Sequence, residues 1–270
     1  MKSKEFRTIE LSDAVYEADG LRFMTVKSTH LMGRGDICVF VPEGMSEAKN
    51  LPIHILLHGV YGSAWIWALK GGVHKTAAKM IASKKISPCI IAMPSDGLWG
   101  DGSAYKKHSK RSFDRWIVDD VVCAVRQHIP QASDNSKVCL GGLSMGGYGA
   151  LRLGVLYSEV FTAISAHSSI TKLVQMKNFV EEDTARLTSI SDMPDDLIDV
   201  FKSRAKKNIP PFRFDCGKDD DLFSPNQSFS QALKELNILH VFEEFNGGHE
   251  WSYWREHVEK TLLFFDKQQK

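Results

Sequence analysis

The sequence predicts an α/β fold in which helices cover both faces of a mostly parallel, doubly wound sheet. Short, mainly apolar runs typical of buried strands alternate along the 270 residues with segments of helical periodicity. Several of these runs end in glycine-rich loops, and right-handed crossovers bring such loops together at the carboxyl ends of parallel strands. We therefore expect a functional site at that edge of the sheet.

The predicted elements begin with a hairpin, whose strands at 21–27 and 37–41 flank a glycine-containing turn at 33–36. Further strands are predicted from apolar runs at 53–57, 89–93, 137–140, 161–166, 212–216 and 240–245. Amphipathic patterns predict helices at 73–83, 113–129, 148–157, 227–236 and 252–267, with a long loop at 94–112. Residues 170–211 are polar and helical in pattern. We interpret them as an insertion over the active-site face of a single domain that spans 1–270.

The composition excludes several classes of protein. Lysine and arginine total 34 against 33 acidic residues, so no excess positive charge favours nucleic-acid binding. No apolar run reaches the ~18 residues that a membrane span needs, and residues 1–13 are polar. The five cysteines are widely separated and form no C-x-x-C pair, which favours a reducing, cytoplasmic location and argues against a metal site. We expect no cofactor, and the sequence leaves open whether the protein forms a homo-oligomer.

A candidate nucleophile lies in the sequence Gly142-Leu143-Ser144-Met145-Gly146, a G-x-S-x-G motif between a predicted strand and a predicted helix. The serine of such a turn adopts a strained backbone, and the two glycines leave room for neighbouring elements. The same turn directs the Met145 amide towards a developing oxyanion. A glycine-rich helix start without catalytic function is the alternative. Phosphate binding is rejected because no Gly-Lys-Ser/Thr follows.

A serine nucleophile needs a base that a third group orients. Of ten histidines, His249 is the one in a loop that follows a strand near the carboxyl terminus. The acid is expected among Asp219, Asp220 and Asp221; spacing favours the middle residue, and a helix-capping turn is the alternative. The second oxyanion donor is expected in the loop after strand 53–57, at the amide of Val60 or Tyr61. His58 is interpreted as a structural residue.

These motifs resemble those of a known family. Four segments carry the likeness: Leu57-His58-Gly59, GLSMGGYGAL at 142–151, Gly217-x-x-Asp220-x-Leu222 and Gly247-Gly248-His249-x-Trp251-x-x-Trp254. In this order, from about residue 21 to 265, they resemble the esterase D group of α/β-hydrolases. That group includes carboxylesterases, feruloyl and acetyl-xylan esterases, S-formylglutathione hydrolases and mycolyltransferases.

The resemblance implies an α/β-hydrolase fold with Ser144 as nucleophile, Asp220 as orienting acid and His249 as base. It also implies an oxyanion hole made by the Val60 and Met145 amides. Leu143 stands where S-formylglutathione hydrolases usually carry histidine, which weakens that assignment. The insertion at 170–211 matches no motif, and we expect it to shape the acyl or alcohol pocket.

Three residues are candidates for substrate binding. Tyr61 and Trp99 lie in loops after strands, where Trp99 could stack on a sugar or aromatic acyl group together with Trp65 and Trp67. His167 follows the strand predicted at 161–166. The two tryptophans after His249, at positions 251 and 254, are expected in the core, where they fix the His249 loop.

The predicted function is that of a serine carboxylesterase that hydrolyses short-chain or carbohydrate-linked acyl esters through an acyl-enzyme. Transfer of the acyl group to an alcohol, and hydrolysis of a thioester such as S-formylglutathione, are alternatives that would use the same site. A catalytically inactive hydrolase-fold binding protein is the alternative from a different class. The expected partner is a small-molecule or carbohydrate ester, with neither nucleic acid nor membrane.

Overall fold

A computed structural model describes residues 6, 8–187, 194–204 and 208–270. Within this part of the chain, nine strands form one sheet in the order β1-β2-β3-β5-β4-β8-β9-β10-β11. The bounds are β1 Ile9–Leu11, β2 Leu21–Ser28, β3 Gly33–Phe40, β4 Ile53–Leu57, β5 Ile90–Pro94, β8 Val138–Leu143, β9 Ala163–His167, β10 Phe212–Gly217 and β11 Val241–Phe245. Strands β6 Lys107–His108 and β7 Arg111–Ser112 form a separate small hairpin inside the loop predicted at 94–112.

The sheet is antiparallel at one edge and parallel over the rest of its width. The pairs β1–β2, β2–β3 and β3–β5 are antiparallel, whereas β5, β4, β8, β9, β10 and β11 run parallel to one another. Every residue of the central strands β4, β5, β8, β9 and β10 is buried, as expected where helices cover both faces. The predicted fold class is confirmed.

Helices occupy both faces of the sheet. Their bounds are α1 Ile66–Leu69, α2 Val73–Ala82, α3 Phe113–Arg115, α4 Val122–His128, α5 Met145–Leu156, α6 Leu197–Arg204, α7 Phe223–Glu235 and α8 Trp251–Gln269. A π-helical segment, Trp116–Val121, joins α3 to α4, and short 3₁₀ helices span Ala14–Tyr16, Leu173–Asn178 and Thr184–Leu187. Within the described residues, no helix combines the length and apolarity that crossing a bilayer requires.

Successive side chains of a strand enter two different cores. On β4, Ile55 and Leu57 pack in a core that includes side chains of α4, α5 and α7. Leu56, between them, packs with side chains of α2 and α8 on the opposite face. This alternation follows from the two-residue period of a strand, and it explains why strands buried on both faces read as continuous apolar runs.

The turn predicted at 33–36 is wrong, because those residues begin β3 and the chain reverses at 29–32 instead. Gly35 serves close packing: a Cβ there would lie 2.5 Å from the ring of Trp116. Two predicted helix starts are also late. Helix α5 begins at Met145 rather than Tyr148, and α7 begins at Phe223 rather than Gln227. Pro225 fits the first turn of α7, where its missing N–H costs no helical hydrogen bond.

The segment 170–211 carries two of the 3₁₀ helices and α6. Residues 188–193 and 205–207 of this predicted insertion lie outside the described residues. Helix α6 packs against α5 and α7. The stretch 179–187 lies beside the loops that follow β4 and β5, at the carboxyl ends of the parallel strands.

Candidate active site

Ser144 occupies a sharp turn between β8 and α5. Its φ of 55° and ψ of −121° lie outside the regions that non-glycine residues favour. The amide of Ser144 donates to the carbonyl of His167 over 2.9 Å, and the Ser144 carbonyl accepts from the Tyr148 amide over 3.1 Å. The flanking strand and helix therefore hold the strained residue in place.

The two glycines of the motif permit backbone contacts that a side chain would prevent. A Cβ on Gly142 would lie 2.3 Å from the carbonyl oxygen of Gly146. A Cβ on Gly146 would lie 2.3 Å from the carbonyl oxygen of Leu57, on the neighbouring strand. The close approach of helix, turn and strand thus requires glycine at both positions.

The side chains of Ser144, His249 and Asp220 form one hydrogen-bonded chain. The Nε2 atom of His249 lies 3.0 Å from the Ser144 Oγ, and its Nδ1 lies 2.9 Å from Oδ2 of Asp220. Three segments far apart in sequence contribute: the turn after β8, the loop after β10 and the loop after β11. The structure brings together the three residues that the sequence singled out.

Asp220 is distinguished from its two acidic neighbours by burial. Its side chain is buried, whereas Asp219 and Asp221 are exposed. The Leu222 side chain is buried next to it, and the Leu222 amide donates to Oδ1 of Asp220 over 2.8 Å. The middle aspartate of the sequence analysis is therefore the one that reaches the histidine.

The surroundings of Asp220 favour its ionised form. Burial raises the pKa of this carboxyl, but hydrogen bonds from His249, the Leu222 amide and Ser168 outweigh it and lower the pKa below the usual value. An ionised Asp220 accepts a hydrogen bond from the Nδ1–H of His249. The Nε2 atom is then left as an acceptor facing the Ser144 hydroxyl, as a general base requires.

Ser168 is a site residue that the sequence analysis missed. It is fully buried after β9, hydrogen-bonds to Asp220, and accepts from the indole N–H of Trp254 over 3.2 Å. The residue predicted from the sequence was its neighbour His167, as a substrate-binding residue. The position after a strand was the available signal, but the pleat of the strand, which the sequence does not show, decides which neighbour faces the site.

The imidazole of His249 is held between two aromatic rings. The ring centroid of Phe179 lies 4.8 Å from that of His249, and the ring of Trp254 meets it edge-on at 5.0 Å. The loop itself turns at Gly247, whose φ is 118°, and the carbonyl of Gly247 accepts from the Asp219 amide. Phe179 belongs to the segment without a recognisable motif, so no sequence signal identified it.

The loop after β4 approaches Ser144 closely. A Cβ on Gly59 would lie 3.2 Å from the Ser144 Cβ, so a side chain there would crowd Ser144. The buried His58 lies 2.7 Å from the Gly59 carbonyl through Nδ1 and accepts from the Asp96 amide through Nε2. Both ring nitrogens are thus engaged in holding loops, which agrees with the structural role predicted for His58.

The two predicted oxyanion donors lie on the elements that meet at Ser144. Met145 is the first residue of α5, where backbone N–H groups have no partner within the helix. Val60 directly follows Gly59. A Cβ added to Gly102, in the loop after β5, would lie 2.4 Å from the Met145 Sδ and 3.4 Å from the Val60 Cγ1. The side chains of these two residues therefore approach the same point of that loop.

Ser144 opens into a cleft of about 370 Å³. The residues that line it are mostly apolar or aromatic: Gly59, Val60, Tyr61, Ile66, Leu143, Ser144, Phe179, His249, Glu250, Trp251 and Trp254. Trp251 and Trp254 also pack edge-to-face against each other at 5.3 Å. They therefore contribute to the cleft wall besides fixing the His249 loop, the role predicted for them.

The three candidate substrate-binding residues have different surroundings. Tyr61 lines the cleft and is 59% exposed. Trp99 does not line this cleft; it stacks on His108 at 4.4 Å and packs under the guanidinium of Arg186. Of the further tryptophans, Trp65 is half-exposed and Trp67 is buried, with its indole N–H on the Leu57 carbonyl.

The structure does not support substrate binding by His167. Its side chain is buried, with Nδ1 on Asp215 and Nε2 on Thr261. Asp215 also binds Arg213 and accepts from the Tyr253 hydroxyl, and these opposite charges and donors lower its pKa despite its burial. His167 thus belongs to a polar network beneath the site, with no free ring nitrogen for a substrate.

Comparison with solved structures shows the fold. The structure resembles that of a ferulic acid esterase with a TM-score of 0.78 and 21% identity, covering 98% of this chain and 99% of that one. An S-formylglutathione hydrolase from Staphylococcus aureus gives 0.76 and 21%, covering 94% and 98%. A fluorophosphonate-binding serine hydrolase from the same organism gives 0.76 and 22%, covering 90% and 96%. The protein therefore has the fold of the α/β-hydrolases.

The sequence defines the family. A family model described as "Putative esterase" matches residues 28–265, and the chain belongs to this esterase family. It is also 27% identical over 238 residues to an acetyl esterase from Caldicellulosiruptor saccharolyticus. The aligned region covers 82% of this chain and 85% of the relative. The protein is a carboxylic ester hydrolase, as the resemblance to the esterase D group implied.

Proposed function

We propose that this enzyme is a serine carboxylesterase in which Ser144 is the nucleophile, His249 the general base and Asp220 the residue that orients it. The observation that carries the proposal is the unbroken chain of hydrogen bonds, 3.0 Å and 2.9 Å long, from the serine through the imidazole to a buried carboxylate. Serine becomes an effective nucleophile when a positioned base removes its proton.

The proposed reaction has two halves. Ser144 Oγ attacks the ester carbonyl while His249 Nε2 takes its proton, and the amides of Val60 and Met145 stabilise the resulting oxyanion. The tetrahedral intermediate collapses, and the imidazolium protonates the departing alcohol. Water, deprotonated by His249, then attacks the acyl-enzyme. Collapse of the second intermediate releases the carboxylic acid and returns the proton to Ser144.

Short acyl chains are the proposed substrates. What supports this is the modest size of the cleft, about 370 Å³, its apolar lining and the similarity to an acetyl esterase. A carbohydrate-linked alcohol is the second part of the proposal. The half-exposed Tyr61 at the cleft mouth leaves room for a larger alcohol group outside.

The nucleophile is tested by Ser144→Ala. We expect the kcat on p-nitrophenyl acetate to fall by at least about 10³-fold, because among the described residues Ser144 carries the only hydroxyl paired with His249. Labelling by a fluorophosphonate should be lost as well. Ser83→Ala, at an exposed position after α2, is the control and should retain both activities. Turnover by Ser144→Ala close to that of the native enzyme would refute the assignment.

A substrate panel distinguishes the related reactions. Short-chain acyl esters, acetylated xylan, feruloyl esters and S-formylglutathione should be compared, and products should be analysed for acyl transfer to added alcohol. We expect the highest kcat/KM with acetyl esters and release of free acid. A preference for the thioester, or transfer products in excess of acid, would contradict the proposed substrate class without affecting the nucleophile.

We also propose that residues 1–270 form one domain with an insertion at 170–211. What supports this is that the strands on either side of that segment, β9 and β10, are parallel neighbours in the same sheet. A cytoplasmic location is likewise proposed. It is supported by the cysteines, none of which forms a disulfide within the part of the chain that the structure describes.

A further inference from the structure

We infer that Asp101 is a positioning residue that joins the oxyanion loop to the Phe179 wall of the cleft and thereby limits the size of the acyl group. This inference rests on the proposed function, because it assigns Asp101 a part in substrate selection at the same site. Asp101 lies in the loop after β5, outside every motif that the sequence analysis singled out.

One carboxylate oxygen of Asp101 gathers three donors from two distant segments. Its Oδ2 accepts from the Glu181 amide over 3.0 Å, from the Glu182 amide over 3.1 Å and from the Tyr61 hydroxyl over 3.3 Å. The backbone takes part as well. The carbonyl of Asp101 accepts from the Tyr61 amide over 2.9 Å, and its amide donates to the Glu182 carboxylate over 3.1 Å.

Both segments held by Asp101 border the reacting groups. Tyr61 directly follows Val60, the proposed oxyanion donor, and its φ of 57° is a strained conformation that needs external support. Glu181 lies two residues after Phe179, whose ring packs on the imidazole of His249 and lines the cleft. Asp101 therefore links the proposed oxyanion loop to the aromatic wall, and the hydrogen bond from the Glu181 amide to the Tyr61 hydroxyl joins them as well.

Tyr61 has little other support. Its side chain is 59% exposed, and its hydroxyl is engaged with Asp101 and with the Glu181 amide. A buried tyrosine would be fixed by packing, whereas an exposed one depends on hydrogen bonds for its position. Loss of the Asp101 carboxylate should thus loosen the Tyr61 side chain, while the bonds from the Tyr61 amide to the Asp101 carbonyl and from the Glu181 amide to the Tyr61 hydroxyl remain.

The loop that carries Asp101 is also held to residues 182–186 by contacts that do not involve the Asp101 carboxylate. A change of that carboxylate should therefore act mainly towards the cleft. Arg186 forms an ion pair with Glu182 and lies over the ring of Trp99 at 4.5 Å. Gly100, whose φ is 59°, lies against the Arg186 guanidinium. Because Glu182 keeps these contacts, we expect removal of the Asp101 carboxylate to loosen Tyr61 and residues 179–181.

The experiment compares Asp101→Ala, Asp101→Asn and Tyr61→Phe, with the exposed Asp134→Ala as control. The kcat and KM of each are measured on p-nitrophenyl acetate and butyrate. For Asp101→Ala we expect the acetate kcat to fall roughly tenfold, because the Val60 amide is displaced. The ratio of kcat/KM for butyrate to that for acetate should rise at least about fivefold, because the Phe179 wall can move outwards.

The asparagine variant distinguishes positioning from charge. Its amide oxygen can occupy the place of Oδ2 and accept the same three hydrogen bonds, so kcat and the ratio should stay within about twofold of the native enzyme. Tyr61→Phe removes the hydrogen bond to Asp101 and the one from the Glu181 amide, and it should raise the ratio roughly twofold to threefold. The control variant should match the native enzyme in every measurement.

Two results would overturn the inference: an unchanged butyrate-to-acetate ratio in a folded Asp101→Ala, or an unchanged ratio in Tyr61→Phe. If circular dichroism shows that Asp101→Ala does not fold, the ratio measured for Tyr61→Phe decides the question alone. The Ser144→Ala measurement is separate. An inert Ser144→Ala together with unaltered Asp101→Ala kinetics refutes only the role of Asp101, whereas an active Ser144→Ala refutes the proposed nucleophile.

Discussion

At the scale of single residues, three adjacent aspartates show how position determines chemistry. Asp219 and Asp221 face solvent, where a carboxylate is hydrated and binds a histidine weakly. Asp220 is buried with both oxygens engaged, one on the Leu222 amide and one on His249. A difference of one residue therefore separates a surface charge from the partner of the imidazole.

Asp220→Asn should lower kcat on p-nitrophenyl acetate by about 10³- to 10⁴-fold. The Leu222 amide still needs a hydrogen-bond acceptor, so the asparagine oxygen will face that amide and the NH₂ group will face His249. That group donates to Nδ1 and shifts the imidazole proton to Nε2, where it can no longer accept from Ser144.

Asp219→Asn and Asp221→Asn are the matched controls, and steady-state kinetics should place both within about threefold of the native enzyme. A loss of activity shared equally by all three variants would argue against a specific role for Asp220.

At the scale of elements, the turn between β8 and α5 depends on its glycines. Gly142 contacts the helix backbone and Gly146 contacts the backbone of β4, at distances that a Cβ would make impossible. Because the clashing atoms belong to backbone rather than to flexible side chains, the elements themselves would have to separate. The position of Ser144 relative to the loop after β4 is set by this contact.

Gly146→Ala should destabilise the protein by about 1–3 kcal/mol or more and abolish most esterase activity. The added Cβ would lie 2.3 Å from the Leu57 carbonyl oxygen, so helix α5 and the loop that carries Val60 must move apart. Urea denaturation and esterase kinetics measure the two effects.

Gly33→Ala serves as the control, because its Cβ would lie at an ordinary 3.6 Å from the Leu31 carbonyl oxygen. It should change stability and esterase activity little. Equal effects of the two substitutions would show that the backbone contact at Gly146 is not what matters.

At the scale of the whole molecule, the sheet is buried on both faces and encloses polar groups. His54, on β4, contacts the ring of Phe265 and the side chain of Gln269 from α8. Burial lowers the pKa of His54 to about 4, although the hydrogen bond with Gln269 partly opposes this. The histidine is therefore neutral in the folded protein over a range where it is protonated in the unfolded chain.

This pKa difference predicts loss of stability in acid. The folded pKa of about 4 is below the unfolded value of 6.5, so the unfolded chain binds more protons between these pH values. The free energy of unfolding should fall by about 3 kcal/mol from this group as the pH drops from 6.5 to 4, and by nothing further below that.

His54→Leu removes the titration. Urea denaturation at several pH values should give a constant difference in stability from the native protein above pH 7 and a difference that shifts in favour of the variant as the pH falls to 4. Parallel stability curves over this range would contradict the assignment.

The fold class and the three hydrogen-bonded residues could be predicted from the sequence because their signals are local. Apolar runs mark strands buried on both faces, and the G-x-S-x-G turn identifies Ser144 by its own neighbours. His249 and Asp220 follow from chain order, since each lies in a loop after a strand. The hairpin turn at 33–36 was wrong because a glycine that serves packing, Gly35, reads like a glycine that serves a turn.

The sequence by itself therefore indicated the chemistry we propose, since the proposed nucleophile, base and acid each lie in a recognisable local setting. Only the tertiary structure decided what surrounds that chemistry: Phe179 on the imidazole, Ser168 behind the acid, His167 in a buried network and Asp101 between two loops. The physical reason is that these contacts join segments remote in the chain. Their geometry depends on how strands pair and pleat, and no single segment encodes it.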